Sequence, residues 1–422
     1  MLTSVKITNY KSIETVKLGL SRINVLIGEN GAGKSNILEA IAIAGAASAG
    51  KLDNEFLSSR GIRVTDPRLM RQAFSGEMAE TPIEVEFMDT EKEVYLYRLN
   101  NDNAPYSQWQ CSFESSEHHP ISFPRLVKEM SENGKIKKSH EKETIALLEA
   151  IFSLKERKKI NNFEKKAFSL PESSIELEFE RDSPFVAFLK KHGHKIARIS
   201  EHLSNFIIYS PENTSLRLFE REGQIEPLGI NGEGLFKLLN VMLEGGREKS
   251  IEDIRTGLKL FGWFEDFEVV KPLPPKPGGI QVKDRFVGAA HRILDQKSVN
   301  EGFLFLLFYG ALFSSELTPR FFAIDNIDAS LNPKLCQRLM THLTKLAKEN
   351  GKQVILTTHN PAVLDGLNLD DDDQRLFVVS RGGAGQTRVR KVEKKALAEG
   401  APDIRLSEAF LRGSLGGLPK GF

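Results

Sequence analysis

The stretch GENGAGKS, residues 28–35, limits the possible folds of this chain more than any other stretch. It fits the pattern G-x-x-x-x-G-K-[ST], follows the largely apolar run INVLIG of residues 23–28, and leads into residues 34–47, whose apolar side chains recur at helical spacing. When a strand, a glycine-rich turn and a helix follow in this order, the N–H groups of the turn and the positive end of the helix dipole converge on one point. The stretch therefore predicts a phosphate site in an α/β domain.

Each residue type in this loop has a role in binding a nucleoside triphosphate. Gly28, Gly31 and Gly33 allow the backbone to bend so that successive N–H groups face the phosphates. We expect Lys34 to reach the β- and γ-phosphates and Ser35 to offer its hydroxyl to Mg²⁺. ATP and Mg²⁺ are therefore the expected cofactors, and the predicted nucleotide-binding residues are Gly28, Glu29, Asn30, Gly31, Ala32, Gly33, Lys34, Ser35 and Asn36.

Two later segments also end a predicted buried strand on a polar side chain. FFAIDNIDASLNP, residues 321–333, reaches Asp325 after four apolar residues, and QVILTTHNP, residues 353–361, reaches His359. Helix and strand patterns alternate in this part of the chain, which predicts a parallel sheet whose strands end at one shared edge. We expect Asp325 to hold Mg²⁺ together with Ser35, and His359 to contact the γ-phosphate.

The charge, the apolar runs and the cysteines of the chain limit its expected partners and its expected compartment. The chain has 422 residues and a net charge of +1, so no overall field singles out nucleic acid as its partner. The longest apolar run, residues 303–313, is too short to span a bilayer and no signal peptide is visible, so we expect a cytoplasmic protein without membrane contact. Cys111 and Cys336 lack metal-ligand spacing and are expected to be reduced thiols.

The middle of the chain is predicted to interrupt the domain that holds these motifs. PIEVEFM and EVYLYRL alternate apolar and polar residues, as antiparallel strands do. Residues 115–171 are rich in Ser, Lys, Glu and Asn and are predicted to form a charged, partly helical insertion. SIELEFE, residues 174–180, returns to a strand pattern. We therefore expect residues 1–114 and 172–422 to form one discontinuous domain with an N-terminal and a C-terminal lobe.

The glycine-rich loop, the Asp strand and the His strand together resemble the ABC ATPase superfamily, most closely its branch of SMC, RecF and OLD-type ATPases. The resemblance covers the first 45 residues and residues 297–366. It implies an α/β P-loop ATPase head with a mixed, largely parallel core sheet, an antiparallel β subdomain and a helical insertion. The ending LSEAFLRGSLGGLP, residues 406–419, resembles the tails of small ATPases of bacterial antiphage systems, and most narrowly the ATPase subunit of Septu-like systems, which works beside an HNH nuclease.

The same resemblance implies a signature loop that caps the γ-phosphate held by a neighbouring chain. KSVNEGFLFLL, residues 297–307, stands where this loop is expected, before the helix that precedes the Asp strand. Its candidate residues are Ser298, Asn300, Glu301 and Gly302. ATP would then join two copies of the chain, which predicts a homodimer or a higher oligomer. A second interpretation is that Asn300 only caps the following helix.

Asn326 departs from the family pattern, in which a glutamate follows the Asp and polarises the attacking water. An amide cannot take a proton and can only orient water by hydrogen bonds, and the loss of a general base commonly costs about 10²–10⁴ in rate. Asp328, two residues further on, is an alternative base. The sequence thus predicts that ATP is bound and hydrolysed slowly or not at all, with Asn326, Asp328 and His359 as the candidate catalytic residues.

Two functions remain open at this stage. The first is an ATP-binding regulatory subunit of an antiphage defence complex, which controls a partner nuclease of HNH type. The alternative is a RecF-like ATP-dependent DNA-binding or repair ATPase, for which direct DNA contact would be required. The glutamine that contacts Mg²⁺ in this superfamily is not located by the sequence, since Gln224 and Gln353 qualify by residue type only.

Overall fold

The computed structural model describes residues 1–72, 80–115, 202–219, 224–271, 278–288, 293–393 and 404–416. The predicted insertion, residues 115–171, lies outside these ranges except for Ser115, and so does the predicted strand at residues 174–180. The described part contains three sheets and a set of helices packed against them.

The strands and helices are numbered here in chain order. The strands are β1 (Leu2–Tyr10), β2 (Ile13–Gly19), β3 (Ile23–Ile27), β4 (Ile83–Asp89), β5 (Val94–Asn100), β6 (Gln110–Ser115), β7 (Ile208–Tyr209), β8 (Phe264–Val270), β9 (Gly279–Asp284), β10 (Ile293–Asp295), β11 (Phe321–Ile324), β12 (Gln353–Thr358), β13 (Gln374–Arg381) and β14 (Thr387–Val392). The helices are α1 (Lys34–Ser48), α2 (Asn54–Ser59), α3 (Pro67–Met70), α4 (Asn213–Leu216), α5 (Leu235–Glu244), α6 (Glu248–Leu258), α7 (Glu301–Ser314), α8 (Pro333–Glu349), a 3-10 helix (Pro361–Gly366) and α9 (Leu406–Leu411).

The central sheet has six strands in the order β14-β13-β3-β12-β11-β7. All neighbours pair in parallel except β14, which runs antiparallel to β13 at the edge. β3, β11 and β12 are buried at every residue, because helices cover both faces of the sheet, and this explains why their sequences are nearly continuous apolar runs. The predicted mixed, largely parallel core sheet is confirmed.

The second sheet is antiparallel and has the order β2-β1-β4-β5-β6. It contains the predicted strands PIEVEFM and EVYLYRL as β4 and β5, which confirms the antiparallel subdomain. Helix α1 packs between this sheet and the central sheet, and its buried side chains Ile37 and Ile41 belong to one core cluster with Val85 of β4 and Leu26 of β3. The glycine-rich loop therefore leads into a helix that is enclosed on both sides.

The opposite face of the central sheet is covered by α7, which is buried along almost its whole length, with Phe303, Phe308 and Leu312 fully enclosed. A helix that is apolar all round lies inside a protein core or a membrane. Here α7 packs on α6 and α8, and the small sheet β10-β9-β8 completes this second core. No helix of the described ranges combines the length and the apolarity needed to cross a membrane.

The two cysteines lie apart in the fold. Cys111 is exposed on β6, and Cys336 is buried on α8. Both are free thiols, as the spacing predicts.

Candidate nucleotide site

The glycine-rich loop connects the end of β3 to the start of α1. Gly31 and Gly33 have φ angles of 74° and 107°, which lie in the left-handed region where side chains are rarely tolerated. A Cβ atom on Gly33 would also lie 2.1 Å from Oγ1 of Thr387, so this glycine is required by space as well as by conformation. The loop is thus closely packed against the start of β14 while its outer part, with Asn30 and Gly31, is exposed.

Lys34 is buried at the first position of α1, with 6% of its surface exposed. Its ammonium donates hydrogen bonds to the carbonyl oxygens of Gly28 at 2.8 Å and Glu29 at 2.9 Å. Burial lowers the pKa of Lys34 to about 8, against the opposing effect of nearby carboxylates, Asp325 first among them. The cation is therefore held inside the loop that would surround a phosphate chain, where added negative charge would stabilise its protonated form.

Ser35 and Asp325, the two residues predicted to hold Mg²⁺, meet across the ends of α1 and β11. The Ser35 hydroxyl donates to Oδ2 of Asp325 at 3.0 Å. The other carboxylate oxygen accepts a hydrogen bond from the hydroxyl of Thr357, at the end of β12. A hydroxyl and a carboxylate at this spacing form the kind of oxygen pair that Mg²⁺ binds together with phosphate oxygens, so the residues fit the ion.

Asn326 and Asp328 lie in the loop that follows β11. Asn326 has a φ of 58°, and its N–H donates to Oγ1 of Thr357 at 2.9 Å. Oδ1 of Asp328 accepts a hydrogen bond of 2.6 Å from the hydroxyl of Thr358. The two successive threonines of β12 therefore hold the two aspartates on either side of Asn326. No sequence motif marks these threonines, although they directly precede His359.

His359 follows β12 and is exposed at the same edge of the sheet. Its ring is hydrogen-bonded to the backbone of Gly28, the first residue of the glycine-rich loop. Partial burial and then the charge of Lys34 lower the pKa of His359 below the usual value for histidine, so the ring is neutral at physiological pH. Asp328 acts electrostatically on both Lys34 and His359, which places all three groups in one site.

Asn36 is also beside the loop, but its side chain is directed to the turn between β1 and β2. Its amide donates to the hydroxyl of Ser12 at 2.7 Å, and Arg63 donates to its Oδ1 at 3.1 Å. The Ser12 hydroxyl in turn lies 2.7 Å from that of Thr387, which donates to the Ala32 carbonyl at 3.0 Å. Ser12, Arg63 and Thr387 support the loop from outside, and no sequence motif identified them.

A buried carboxylate further along α1 fixes the helix to its surroundings. Glu39 is 2% exposed and accepts hydrogen bonds from Tyr10 at 3.1 Å, from Lys11, and from Arg63 at 2.5 Å. Because both cations and the phenol are directed at one carboxylate, the β1–β2 turn and Arg63 are held beside the first turns of α1. This cluster determines where the cationic side chains stand relative to the phosphate site.

The predicted signature loop lies at the N-terminus of α7. Asn300 is the N-cap, accepting a hydrogen bond from the N–H of Phe303 at 2.9 Å, as the second interpretation of this residue required. Ser298 is exposed and donates to Asp295 at 2.7 Å. Glu301 accepts a hydrogen bond from Ser330, whose carbonyl oxygen also lies 3.2 Å from the Cβ position of Gly302.

Gln224 and Gln353, which are candidates for the glutamine that contacts Mg²⁺, have different surroundings. Gln353 begins β12, and its amide is hydrogen-bonded to the backbone of Leu2 and Ser21. This is the amino end of the parallel strands, opposite to the glycine-rich loop, so Gln353 does not reach the site. Gln224 lies beside Gly234, next to the loop before α5.

Comparison with known proteins agrees with this architecture. A family model described as "AAA domain, putative AbiEii toxin, Type IV TA system" matches residues 23–365. Among solved structures, an SMC head bound to the C-winged helix domain of ScpA is similar with a TM-score of 0.51 and 15% identity, over 93% of this chain and 98% of that chain. The SMC head domain from Thermotoga maritima gives a TM-score of 0.45 and 14% identity, over 93% of this chain and 99% of that one. No curated protein matches the chain in sequence. The structural likeness concerns the fold, an SMC head-like α/β architecture.

Proposed function

This chain belongs to the family described as AAA domain, putative AbiEii toxin, Type IV TA system, and from that membership we propose that it is an ATP-binding regulatory ATPase of a defence complex. It is an AAA-type P-loop ATPase related in fold to SMC heads. The proposal adds that it binds ATP with Mg²⁺, associates with a second copy around the nucleotide, hydrolyses ATP slowly or not at all, and controls a partner nuclease in the cytoplasm.

The observation that carries ATP binding is the convergence of three side chains at the N-terminus of α1. Lys34 is buried in the loop, and the hydroxyl of Ser35 donates to Asp325 across the sheet edge. Lys34 would neutralise the β- and γ-phosphates, while Ser35 and Asp325 would hold Mg²⁺. The bound ion would draw negative charge away from the phosphate oxygens.

The proposal of slow hydrolysis rests on Asn326. Its amide side chain accepts no proton, and its backbone is fixed by a φ of 58° and by the hydrogen bond to Thr357. The site thus has the groups that bind a triphosphate but has an amide where the resemblance places the catalytic glutamate. Asp328 and His359 stand close to Lys34 and remain as groups that could assist a residual reaction.

Association around ATP is supported by the exposed N-terminus of α7. Ser298 and Asn300 are exposed there, in the segment that resembles the superfamily's signature loop. A helix N-terminus is suited to an anion such as a terminal phosphate, and the Ser298 hydroxyl could exchange its bond to Asp295 for one to that phosphate. We propose that this segment of one copy covers the ATP held by the other.

The role in defence rests on two resemblances. The family description names putative toxins of a type IV toxin–antitoxin system, and residues 406–419 resemble the tails of antiphage ATPases. From the second we propose a partner nuclease of HNH type, whose activity would depend on whether the ATPase holds ATP. The discontinuous domain, with residues 115–171 as an insertion, is part of the same proposal.

ATP turnover measured over hours, with bound nucleotide quantified in the same sample, tests this function. We expect wild-type protein to retain intact ATP and to shift to a dimer in sedimentation when ATP and Mg²⁺ are added. Lys34→Ala should abolish both effects, while Lys345→Ala, which removes an exposed lysine on α8, should preserve them. Failure of the wild-type protein to bind ATP saturably would contradict the proposal. Rapid turnover that double-stranded DNA stimulates would instead favour the RecF-like ATPase.

A further inference from the structure

The groups at the sheet edge that could accept a proton are largely engaged. Asp325 uses one oxygen for Ser35 and the other for Thr357, and it is the proposed metal ligand. The ring of His359 is hydrogen-bonded to the backbone of Gly28, and Oδ1 of Asp328 is engaged by Thr358. Asn326 carries no proton acceptor of useful basicity. A carboxylate from another strand end would add a proton acceptor to the groups already present.

β7 pairs with β11 on the side away from β12, and it ends level with Asp325. The two strands are parallel, Ile324 is paired with Tyr209, and the N–H of Asp325 donates to the Tyr209 carbonyl at 2.8 Å. Since the carboxyl ends of parallel strands form one edge, the residues that follow Tyr209 emerge beside the loop that carries Asp325 and Asn326. The carboxyl end of β7 therefore lies at the same edge as those of β3, β11, β12 and β13.

The chain stays extended after Tyr209. The N–H groups of Ser210 and Glu212 donate to the carbonyls of Ile230 and Asn231 at 2.8 and 2.9 Å. Glu212 itself has φ and ψ angles of −121° and 138°, which are those of an extended residue. Side chains in this segment consequently alternate between the two faces of the sheet.

The alternation places Glu212 on the face that carries α1. Ile208 belongs to the core cluster of α1, and Tyr209 belongs to the cluster of α7 on the opposite face. Pro211 is buried, whereas Ser210 and Glu212 are exposed, so Ile208, Ser210 and Glu212 share the α1 side. The N-terminus of α1 provides Lys34 and Ser35. An exposed glutamate thus follows a strand end at the same edge of the sheet, on the side where the nucleotide would lie.

We infer that Glu212 supplies the carboxylate that Asn326 lacks, acting on the water that attacks ATP; this rests on the proposed function. The water oxygen forms a bond to the γ-phosphorus, and the bond from that phosphorus to the β,γ-bridging oxygen breaks, so ADP leaves with the electron pair. The water proton passes to the Glu212 carboxylate and then to solvent. Because Glu212 is exposed and follows a neighbouring strand as the N-cap of α4, we expect the reaction to be slow.

Single-turnover hydrolysis and binding of a non-hydrolysable ATP analogue separate this role from a structural one. Glu212→Gln should lower the hydrolysis rate by about 10²-fold while the analogue affinity changes less than about 2-fold, because a general base acts only in the transition state. Glu55→Gln, an exposed glutamate in the first turn of α2, is the matched control and should hydrolyse ATP at the wild-type rate. In Glu212→Ala, added formate should restore part of the rate, which loss of a structural contact would not allow.

The outcomes also separate this inference from the proposed function. A Glu212→Gln rate within about 2-fold of wild type overturns the inference, and loss of the rate in Asp328→Asn alone would assign the role to Asp328. Wild-type protein that binds ATP without any turnover overturns the inference and leaves ATP binding intact. Wild-type protein that binds no ATP contradicts the proposed function itself.

Discussion

The hydroxyl of Ser330 donates a hydrogen bond to the carboxylate of Glu301, which joins the loop after β11 to the first turn of α7. The same loop begins at Asp325, the residue bonded to Ser35. Two segments that the sequence analysis treated as separate motifs are therefore in direct contact within one chain. In the proposed dimer the loop after β11 would contact the ATP of its own chain, whereas the N-terminus of α7 would contact the ATP held by the partner.

We expect loss of this contact to weaken association of two copies around ATP. Ser330→Ala and Glu301→Ala should each raise the dissociation constant of the ATP-bound dimer by about 3- to 5-fold, as for one partly exposed hydrogen bond. Because both variants remove the same bond, the dissociation constant of the double variant should not exceed the larger of the two single-variant values. Sedimentation at several protein concentrations measures this, and fully additive effects would contradict the coupling.

ATP binding should depend on pH through Lys34. Its pKa is about 8 in the free protein, and bound phosphates favour the protonated form, so the pKa is higher in the complex. Protonated Lys34 contributes favourably to the free energy of ATP binding. This contribution is fully present well below pH 8 and is lost as the pH rises from about 8 towards the pKa of Lys34 in the complex.

Calorimetry at pH 8 in two buffers of different ionisation enthalpy should therefore detect net proton uptake on ATP binding. Lys34→Arg, whose guanidinium remains charged at this pH, should show no such uptake. Equal proton uptake by wild type and Lys34→Arg would exclude Lys34 as its source.

Gly33→Ala should disrupt the glycine-rich loop. The added Cβ would lie 2.1 Å from Thr387 Oγ1 at a φ of 107°, so both the contact and the backbone are strained. We expect the free energy of unfolding to fall by about 1–3 kcal/mol and ATP binding to be lost. Gly383→Ala, at a position where a Cβ meets nothing within 4 Å, is the control for chemical denaturation and should differ little from wild type.

The two threonines of β12 should have separable effects. Thr357→Val removes the hydrogen bond to Asp325 and should raise the Mg²⁺ concentration needed for ATP binding by about 10-fold, in line with other residues that orient metal ligands. Thr358→Val removes the hydrogen bond to Asp328 and should leave the Mg²⁺ dependence unchanged. Titration of Mg²⁺ against binding of a fluorescent ATP analogue distinguishes them, and an equal shift in both variants would contradict the assignment of Asp325 alone to the metal.

Many of the residues at the candidate site could be predicted from local sequence patterns. A strand that runs into a glycine-rich turn or an Asp has a recognisable sequence, and this is why Ser35 and Asp325 could be predicted to meet. Thr387 and Ser12 could not be found in this way, because a single hydroxyl that supports the loop from a distant strand has no pattern of its own. Asn36 shows the converse, since a motif gives the position of a residue but not the direction of its side chain.

The order of strands in the central sheet also has a consequence for synthesis of the protein. β3 comes early in the chain but lies between β12 and β13, and the Asn24 amide bonds to the Val354 carbonyl 330 residues away. Until those late strands leave the ribosome, both edges of β3 lack their partners and its apolar residues lack their cover. The central sheet can therefore form only late in translation, and a product truncated before β12 would lack both central neighbours of β3 and the segment that carries His359.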